Sequence, residues 1–512
     1  PRSPARCTLF FHAAPAVRGG SVNSRPLADT NATASEGNVL QQLSAQDASF
    51  LFMESSATPM HVGSLAIYDP STADPEVLSE EHYRRFQEER LHLWAASRRR
   101  LVSVPFNADY PYWIEDEDFG LDYHLRRIGL PRPGDWAELL KMAARIFERP
   151  LDLSKPLWEF YIIEGLDHLE GIPKGSFAVL SKTHHAAVDG ASGMHLVELL
   201  HDLTPEIEPV PAPDEEWQPD TEPPGAELLF RAWTNNFATP FKFLRVWADT
   251  TRSIPRMTEA LTSNAQQPFA VPRTRFNGRV SAHRVIGARH FDLDTVRKLR
   301  KAVDGATVND AVLAICAGGI RAYLQAKNEL PRDSIVAMAP INVRTDAERD
   351  TLGNRVSAMF LPIGTEIEDP LERLRAIRER TAANKSMTEA GGSRLATDYA
   401  QFVPAFTAAL AGRMATQMPD PQSAFNVSIT NVPGPAVPLY SMGAKMVTSI
   451  GIGPITQGMG LIMPISSYCG QLVVAFTSCT RMIPDPEHFG ACLDDAFQAL
   501  RDAASSSQGE QQ

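Results

Sequence analysis

Two halves joined by an acidic bridge, each half carrying strands and helices, is the architecture the sequence predicts. A chain of 512 residues exceeds what one hydrophobic core usually serves. Apolar runs of strand type alternate with helix-periodic stretches on both sides of the middle. Between Asp202 and Glu227 nine acids occur with no Lys or Arg, among seven prolines, which marks an extended charged linker.

Composition narrows the class. With 43% hydrophobic residues, 21% charged residues and a formal net charge of -12, the chain reads as an ordinary globular protein. Net acidity argues against a nucleic-acid partner, because phosphate binding needs local positive charge. No window offers ~18 apolar residues fit to cross a bilayer. Cys7, Cys316, Cys469, Cys479 and Cys492 show no metal-ligand spacing. The expectation is therefore no metal, free thiols (Cys469 and Cys479 as unpaired core thiols) and a reducing, cytoplasmic location.

Residues 1–38 carry Arg2, Arg6, Arg18 and Arg25 with no acid before Asp29, and read as a disordered or non-native leader. Folded sequence is expected from 39, in a first domain spanning 39–203. Ser44 caps a helix running to Met53. Strands are expected at 61–68, 160–164 and 177–183, followed by a helix at 193–203. Residues 204–268 combine the acidic linker with an aromatic helical stretch (Phe230, Trp233, Phe237, Phe241, Phe243, Trp247). Its polar side carries Arg231, Lys242, Arg245 and Arg252. That pattern fits a helix packed across the halves or one lying on a membrane.

The second domain is expected at 269–507, with a disordered tail at 508–512. Residues 272–301 hold nine basic residues against Asp292 and Asp294, a solvated face or a surface for phosphates. Thr307-Val308-Asn309-Asp310 opens a helix to about Lys327, with Thr307 and Asp310 placed as a capping box. Strands follow at 335–339, 356–362, 424–430, 460–467 and 471–479, with an amphipathic helix at 371–385. From Met446 to Thr480 there is no charged residue, and Gly and Pro interrupt the run, so buried strands and tight loops are expected.

The chain has no G-x-S-x-G elbow, H-E-x-x-H, P-loop or G-x-G-x-x-G motif. Its sharpest local feature is Ser181-Lys182-Thr183-His184-His185-Ala186-Ala187-Val188-Asp189-Gly190. An apolar strand delivers two histidines into an Asp-Gly turn. Side chains alternate along a strand, so only one of the two is expected to point into a given cleft. An imidazole held rigidly there suits general-base work.

His185-Ala186-Ala187-Val188-Asp189 matches the H-x-x-x-D signature of the CoA-dependent acyltransferase superfamily, which resembles chloramphenicol acetyltransferase in fold. The longer His-His-x-x-x-Asp-Gly form is shared by peptide-synthetase condensation domains and by bacterial wax ester synthase/acyl-CoA:diacylglycerol acyltransferases. Pro59-Met60-His61-Val62-Gly63, Lys155-Pro156-Leu157-Trp158-Glu159, Thr307-Val308-Asn309-Asp310 and Ile429-Thr430-Asn431-Val432-Pro433-Gly434-Pro435 look like the second branch and occur in its order.

The resemblance implies an α/β fold of two chloramphenicol-acetyltransferase-like domains. Each is a mixed sheet flanked by helices, with a substrate tunnel between them. It implies acyl transfer from long-chain acyl-CoA, a co-substrate rather than a bound cofactor, to diacylglycerol or a fatty alcohol. His185 is then the general base and His184 a supporting residue. Asp189 is a structural or orienting residue, with Arg344 its candidate partner. Asn309 becomes a candidate beside the histidine by the same resemblance. Asn431, fixed before Val-Pro-Gly-Pro, is a candidate on the tunnel wall, and Ser428, Thr430, Asn431 and Asn309 are all possible oxyanion donors. Contact with a membrane or lipid-body surface is a further expectation. Two rival readings stay open: a free-standing condensation-type enzyme using carrier-bound acyl groups, and a catalytically dead lipid-body protein.

Overall fold

In a computed structural model of the protein, the described residues are 40–188, 196–197, 199–213, 217–236, 271–342, 356–389, 405–417 and 423–509. Along the chain come β1 (Gln41–Gln42), α1 (Ala45–Met53), β2 (His61–Asp69), α2 (Glu80–Arg90), β3 (Arg99–Val102), β4 (Tyr112–Glu115), α3 (Leu121–His124), β5 (Leu125–Gly129), α4 (Trp136–Phe147), β6 (Trp158–Glu164) and β7 (Phe177–His184). The second half supplies β8 (Arg284–Asp292), α5 (Leu293–Leu299), α6 (Val308–Ala326), β9 (Val336–Asn342), β10 (Val356–Pro362), α7 (Pro370–Glu389), α8 (Ala405–Gln417), β11 (Val427–Pro433), β12 (Tyr440–Ser441), β13 (Ala444–Ile452), β14 (Leu461–Tyr468), β15 (Gln471–Cys479) and α9 (Pro486–Gly509). The last helix runs to Gly509, past the boundary expected at 507. The leader at 1–38 lies outside the described residues, as do 193–195 and 198 of the helix expected at 193–203. Of the rest, 196, 197 and 199 are helical, but the helix ends before Asp202, which forms an isolated bridge with Tyr440.

Two six-stranded mixed sheets carry the architecture. The first has the order β12-β13-β2-β7-β6-β5, antiparallel except for the parallel β5–β6 edge. The second is β10-β9-β11-β14-β15-β8, with β11 parallel to both neighbours. A small sheet, β1-β4-β3, stands apart. The fold is thus α/β, and helices flank both large sheets: α4 buries Leu139, Ala143 and Phe147 against the first, while α6, α7 and α9 pack with the second.

One feature departs from a simple two-half reading. Residues 440–452 belong to the second half in sequence, yet β13 pairs antiparallel with β2 from Lys445↔Asp69 to Ile452↔Gly63. The first sheet is therefore completed by a strand that arrives late in the chain.

The charge-free stretch follows from this crossing. Along β15, Leu472, Val474 and Phe476 enter the core of the second half, while Val473 and Ala475 face the first sheet. On β8, Val285 and Phe291 join the second core, and Ile286 and Ala288 face the seam. There they meet Leu65 and Ile67 of β2, Ile450 and Ile452 of β13, and α4. A strand buried on both faces has no position where a charge stays hydrated, so its sequence reads as an unbroken apolar run. Gly287 is required at this packing: a Cβ there would come 2.1 Å from the Phe476 ring. Cys479 is a buried free thiol as expected, but Cys469 is exposed. It occupies the tight β14–β15 turn with φ 45°, so its side chain leaves the core.

The linker is extended and anchored on the small sheet. Trp217 Nε1 donates to Glu115 Oε2 at 2.9 Å, Asp220 Oδ2 accepts from the Glu115 N–H at 2.9 Å, and Glu222 meets Arg100 at 2.8 Å. Of the aromatic stretch, 225–236 is helical. Leu228 and Ala232 are buried, whereas Phe230 and Trp233 are each 64% exposed. Its continuation from Phe237 lies outside the described residues. Among the described residues, no helix is long and apolar enough to cross a membrane.

Much of the basic stretch at 272–301 is committed internally. Arg275 pairs with Glu329, Arg289 with Asp494 and Glu487, and Arg297 with Asp294. Arg284 is buried at the seam, where it donates to the carbonyls of Ser281 and Ala57. These four side chains stabilise the fold, which leaves a smaller share of the stretch for phosphates.

Candidate active site

The histidine pair sits where β7 ends. Pairing with β2 places His61 directly opposite His184. After His184 the backbone leaves the strand and closes one short turn of 3-10 helix, His185–Ala187. His184 caps that turn, its Nδ1 accepting the Ala186 N–H at 3.0 Å. The His185 N–H donates to the Met60 carbonyl at 2.8 Å, which ties the turn back to β2.

His184 closes the strand and His185 lies in the turn beyond it, so the turn, rather than strand alternation, sets how the two imidazoles are placed. His184 is fully buried, and its ring lies 6.2 Å from that of His61. His185 is half-buried and stacks on Phe50, with ring centroids 3.8 Å apart and planes 16° from parallel. Burial pushes the His185 imidazole down to about 4, and the neighbouring His184 adds to the shift. The ring is consequently neutral near pH 7 and free to accept a proton.

Helix α1 supplies contacts that the sequence did not single out. Ser44 caps its start, accepting the Asp47 N–H at 3.0 Å. Phe50 and Glu54 follow four residues apart and so share a face. The Glu54 carboxylate reaches His184 Nε2 at 3.5 Å and His61 Nε2 at 3.8 Å, and accepts the Met60 N–H at 3.3 Å. The only local hint in the sequence is an acid at the end of an apolar helix, shortly before Pro59-Met60-His61. Beneath them Lys182 is buried, donating to the Arg149 carbonyl at 2.6 Å and lying 3.5 Å from Glu159 Oε2. Burial first, then the Lys182 charge, hold His61 well below its usual value.

The two asparagines also meet. Asn431 Nδ2 donates to Asn309 Oδ1 at 3.1 Å. Asn309 stands in the first turn of α6 beside the capping box that the sequence predicts. There Asp310 Oδ2 accepts from the Thr307 N–H at 2.8 Å, and Thr307 Oγ1 accepts from the Asp310 N–H at 3.2 Å. Thr381 adds a hydrogen bond to Asp310 Oδ1 at 2.8 Å, so that carboxylate is structural. Ser428 is buried, with its hydroxyl 4.0 Å from Met338 Sδ. Asp189 and Arg344 both lie outside the described residues. Trp158 is a packing residue: it is buried, donates to the Ser97 carbonyl at 2.8 Å and stacks on His124. Among the described residues no group of three or more metal-ligating side chains gathers.

Known proteins share both the sequence and the fold. Residues 43–312 match the wax ester synthase/diacylglycerol acyltransferase catalytic domain, and 352–501 match the WS/DGAT C-terminal domain. The chain is 32% identical over 470 residues to the probable diacylglycerol O-acyltransferase tgs2 of Mycobacterium tuberculosis, covering 89% of this chain and 98% of that one. The wax ester synthase/diacylglycerol acyltransferase of Marinobacter aquaeolei VT8 has the same fold, with a TM-score of 0.64 at 24% identity over 91% of this chain and 100% of that one. The starter condensation domain of rhizomide synthetase shares it more distantly, with a TM-score of 0.55 at 13% identity over 91% and 94%. With its catalytic and C-terminal regions both matched, the chain belongs to the wax ester synthase/diacylglycerol acyltransferase family.

Proposed function

We propose that the protein is an O-acyltransferase moving a long-chain acyl group from acyl-CoA to diacylglycerol or a long-chain alcohol, making triacylglycerol or wax ester. The observation that carries this reading is the neutral His185 imidazole, stacked on Phe50 and tied to Met60 at the end of β7. His185 takes the hydroxyl proton of the acceptor as its oxygen attacks the thioester carbonyl. The tetrahedral oxyanion is met by amide donors, for which Asn309 and Asn431 are the candidates. Collapse breaks the C–S bond, the CoA thiolate leaves, and the imidazolium returns its proton to the sulfur. No acyl-enzyme forms. Acyl-CoA and acceptor reach His185 through a passage between the two halves. Palmitoyl-CoA incubated with hexadecanol or dioleoylglycerol should release CoA thiol and yield the matching ester. Thiol release with neither acceptor would sink the proposal in favour of carrier-bound donors or a lipid-binding role.

Contact with an anionic lipid surface belongs to the same reading. Phe230 and Trp233 project from 225–236, and Phe106 is 85% exposed in the adjoining loop. Asn236 Nδ2 donates to the Ala108 carbonyl at 3.1 Å, and that loop also packs against α8. On α8, Phe406, Leu410 and Met414 are exposed at a spacing of four, so they form one stripe. Helix α8 bears Arg413 and no acid, and Glu227 on 225–236 is paired with Arg231. These exposed residues form an apolar face on a protein of net charge -12. Flotation with anionic vesicles should carry the wild type upward and leave a Phe406→Ser/Leu410→Ser variant behind. Equal flotation of both would remove this surface from the proposal.

A further inference from the structure

We infer that Glu54 is a positioning residue for acyl transfer, acting through His184 on the turn that carries His185. The inference rests on the acyltransferase reading for its consequence, but its geometry stands alone. A neutral imidazole has one acceptor nitrogen and one N–H. His184 Nδ1 accepts the Ala186 N–H, so its proton resides on Nε2. Nε2 is buried with no aligned hydrogen-bond partner among the described residues, and the Glu54 carboxylate, 3.5 Å away, is the anion facing it. Closing that contact satisfies a buried donor and locks the tautomer in which Nδ1 receives Ala186.

Glu54 also reaches the turn by a second route. Its Oε1 accepts the Met60 N–H, and the Met60 carbonyl in turn accepts the His185 N–H. One carboxylate thus bears on both sides of the catalytic residue: on Ala186 through the His184 ring, and on the His185 backbone through Met60. Phe50, one helical turn earlier on α1, stacks on the His185 ring itself. The other nearby imidazole is already committed: His61 Nε2 accepts the Leu151 N–H at 3.3 Å, and its Nδ1 faces the Phe147 carbonyl at 3.3 Å. Glu54 is therefore left to His184. When His185 takes up a proton, the anion two side chains away also stabilises the developing positive charge.

Glu54→Gln keeps an acceptor for Nε2–H and the size of the side chain; Glu54→Ala removes both. In the full chain, kcat with palmitoyl-CoA and dioleoylglycerol should fall about tenfold in the Gln variant and about a hundredfold in the Ala variant. KM for palmitoyl-CoA should stay within about twofold. Nitrogen-15 NMR of the imidazoles should show His184 as the Nε2–H tautomer in the wild type and the Gln variant, and a tautomer mixture in the Ala variant. Wild-type kcat in Glu54→Ala overturns the inference. So does a loss in Glu54→Gln that only tracks the unfolded fraction, or a His184 proton found on Nδ1 in the wild type. If the wild type releases no thiol at all, the acyltransferase reading fails, and the tautomer result still decides the role of Glu54.

Discussion

The histidine turn and the asparagine pair are both built on regular elements, yet they are held in opposite ways. The turn at the end of β7 is fixed by several contacts: the ionisable Glu54 and His61 around His184, and the apolar ring of Phe50 over His185. The asparagines are neutral, half-buried and joined by a single hydrogen bond of 3.1 Å. The difference follows from what each group does. A base needs its proton affinity set, and burial is the lever that sets it. A donor to a developing oxyanion needs only a fixed direction, and the first turn of a helix and a paired strand position provide that.

Substitutions test this division. The largest effect is expected at the turn: His185→Ala should lose ~10²–10⁴-fold in turnover while calorimetric binding of acyl-CoA is nearly unchanged. Wild-type rates would show that another group takes the proton. Asn309→Ala or Asn431→Ala should each reduce kcat by about 10²-fold, the usual loss for one such donor. Because the two amides act as a unit, the double variant should be little worse than the poorer single; additive losses would show independent roles.

The pH profile sharpens the contrast. An imidazole lowered by burial to about 4 stays unprotonated until the pH falls that far. The acid limb of kcat/KM should therefore lie well below the ordinary histidine value of about 6.5, and both Asn→Ala variants should leave it in place. A limb near 6.5 would assign the titration to a solvated group. The smallest effect is expected from Thr307→Ala, which removes the α6 cap and should cost about 1 kcal/mol of stability in urea unfolding. A loss of kcat beyond that of the folded fraction would show that the cap also aims Asn309.

Local pattern carried much of this in the sequence. The strand that ends in His184 and His185, the box formed by Thr307 and Asp310, and the strand at 471–479 all follow from spacing and propensity within a few residues. What escaped was non-local. Nothing near 444–452 signals that its partner is β2, nearly four hundred residues earlier, because pairing across sheets leaves no trace in periodicity. Glu54 escaped because an acid closing an apolar helix looks like any solvated cap until β7 is packed beside it. Cys469 looked like a core residue because its neighbours are apolar, and only the left-handed turn backbone turns it outward.

The late arrival of β13 also has a consequence for how the protein is made. Until residue 452 has left the ribosome, β2 is an edge strand, with unpaired backbone groups beside the histidine strand. Translation at ~5–20 residues per second puts a delay on the order of tens of seconds between the synthesis of β7 and the closing of that edge. Through that interval the nascent first half is open to pairing with other chains. A messenger that stops short of β13 would release a polypeptide that has both histidines and no means of covering the sheet that holds them.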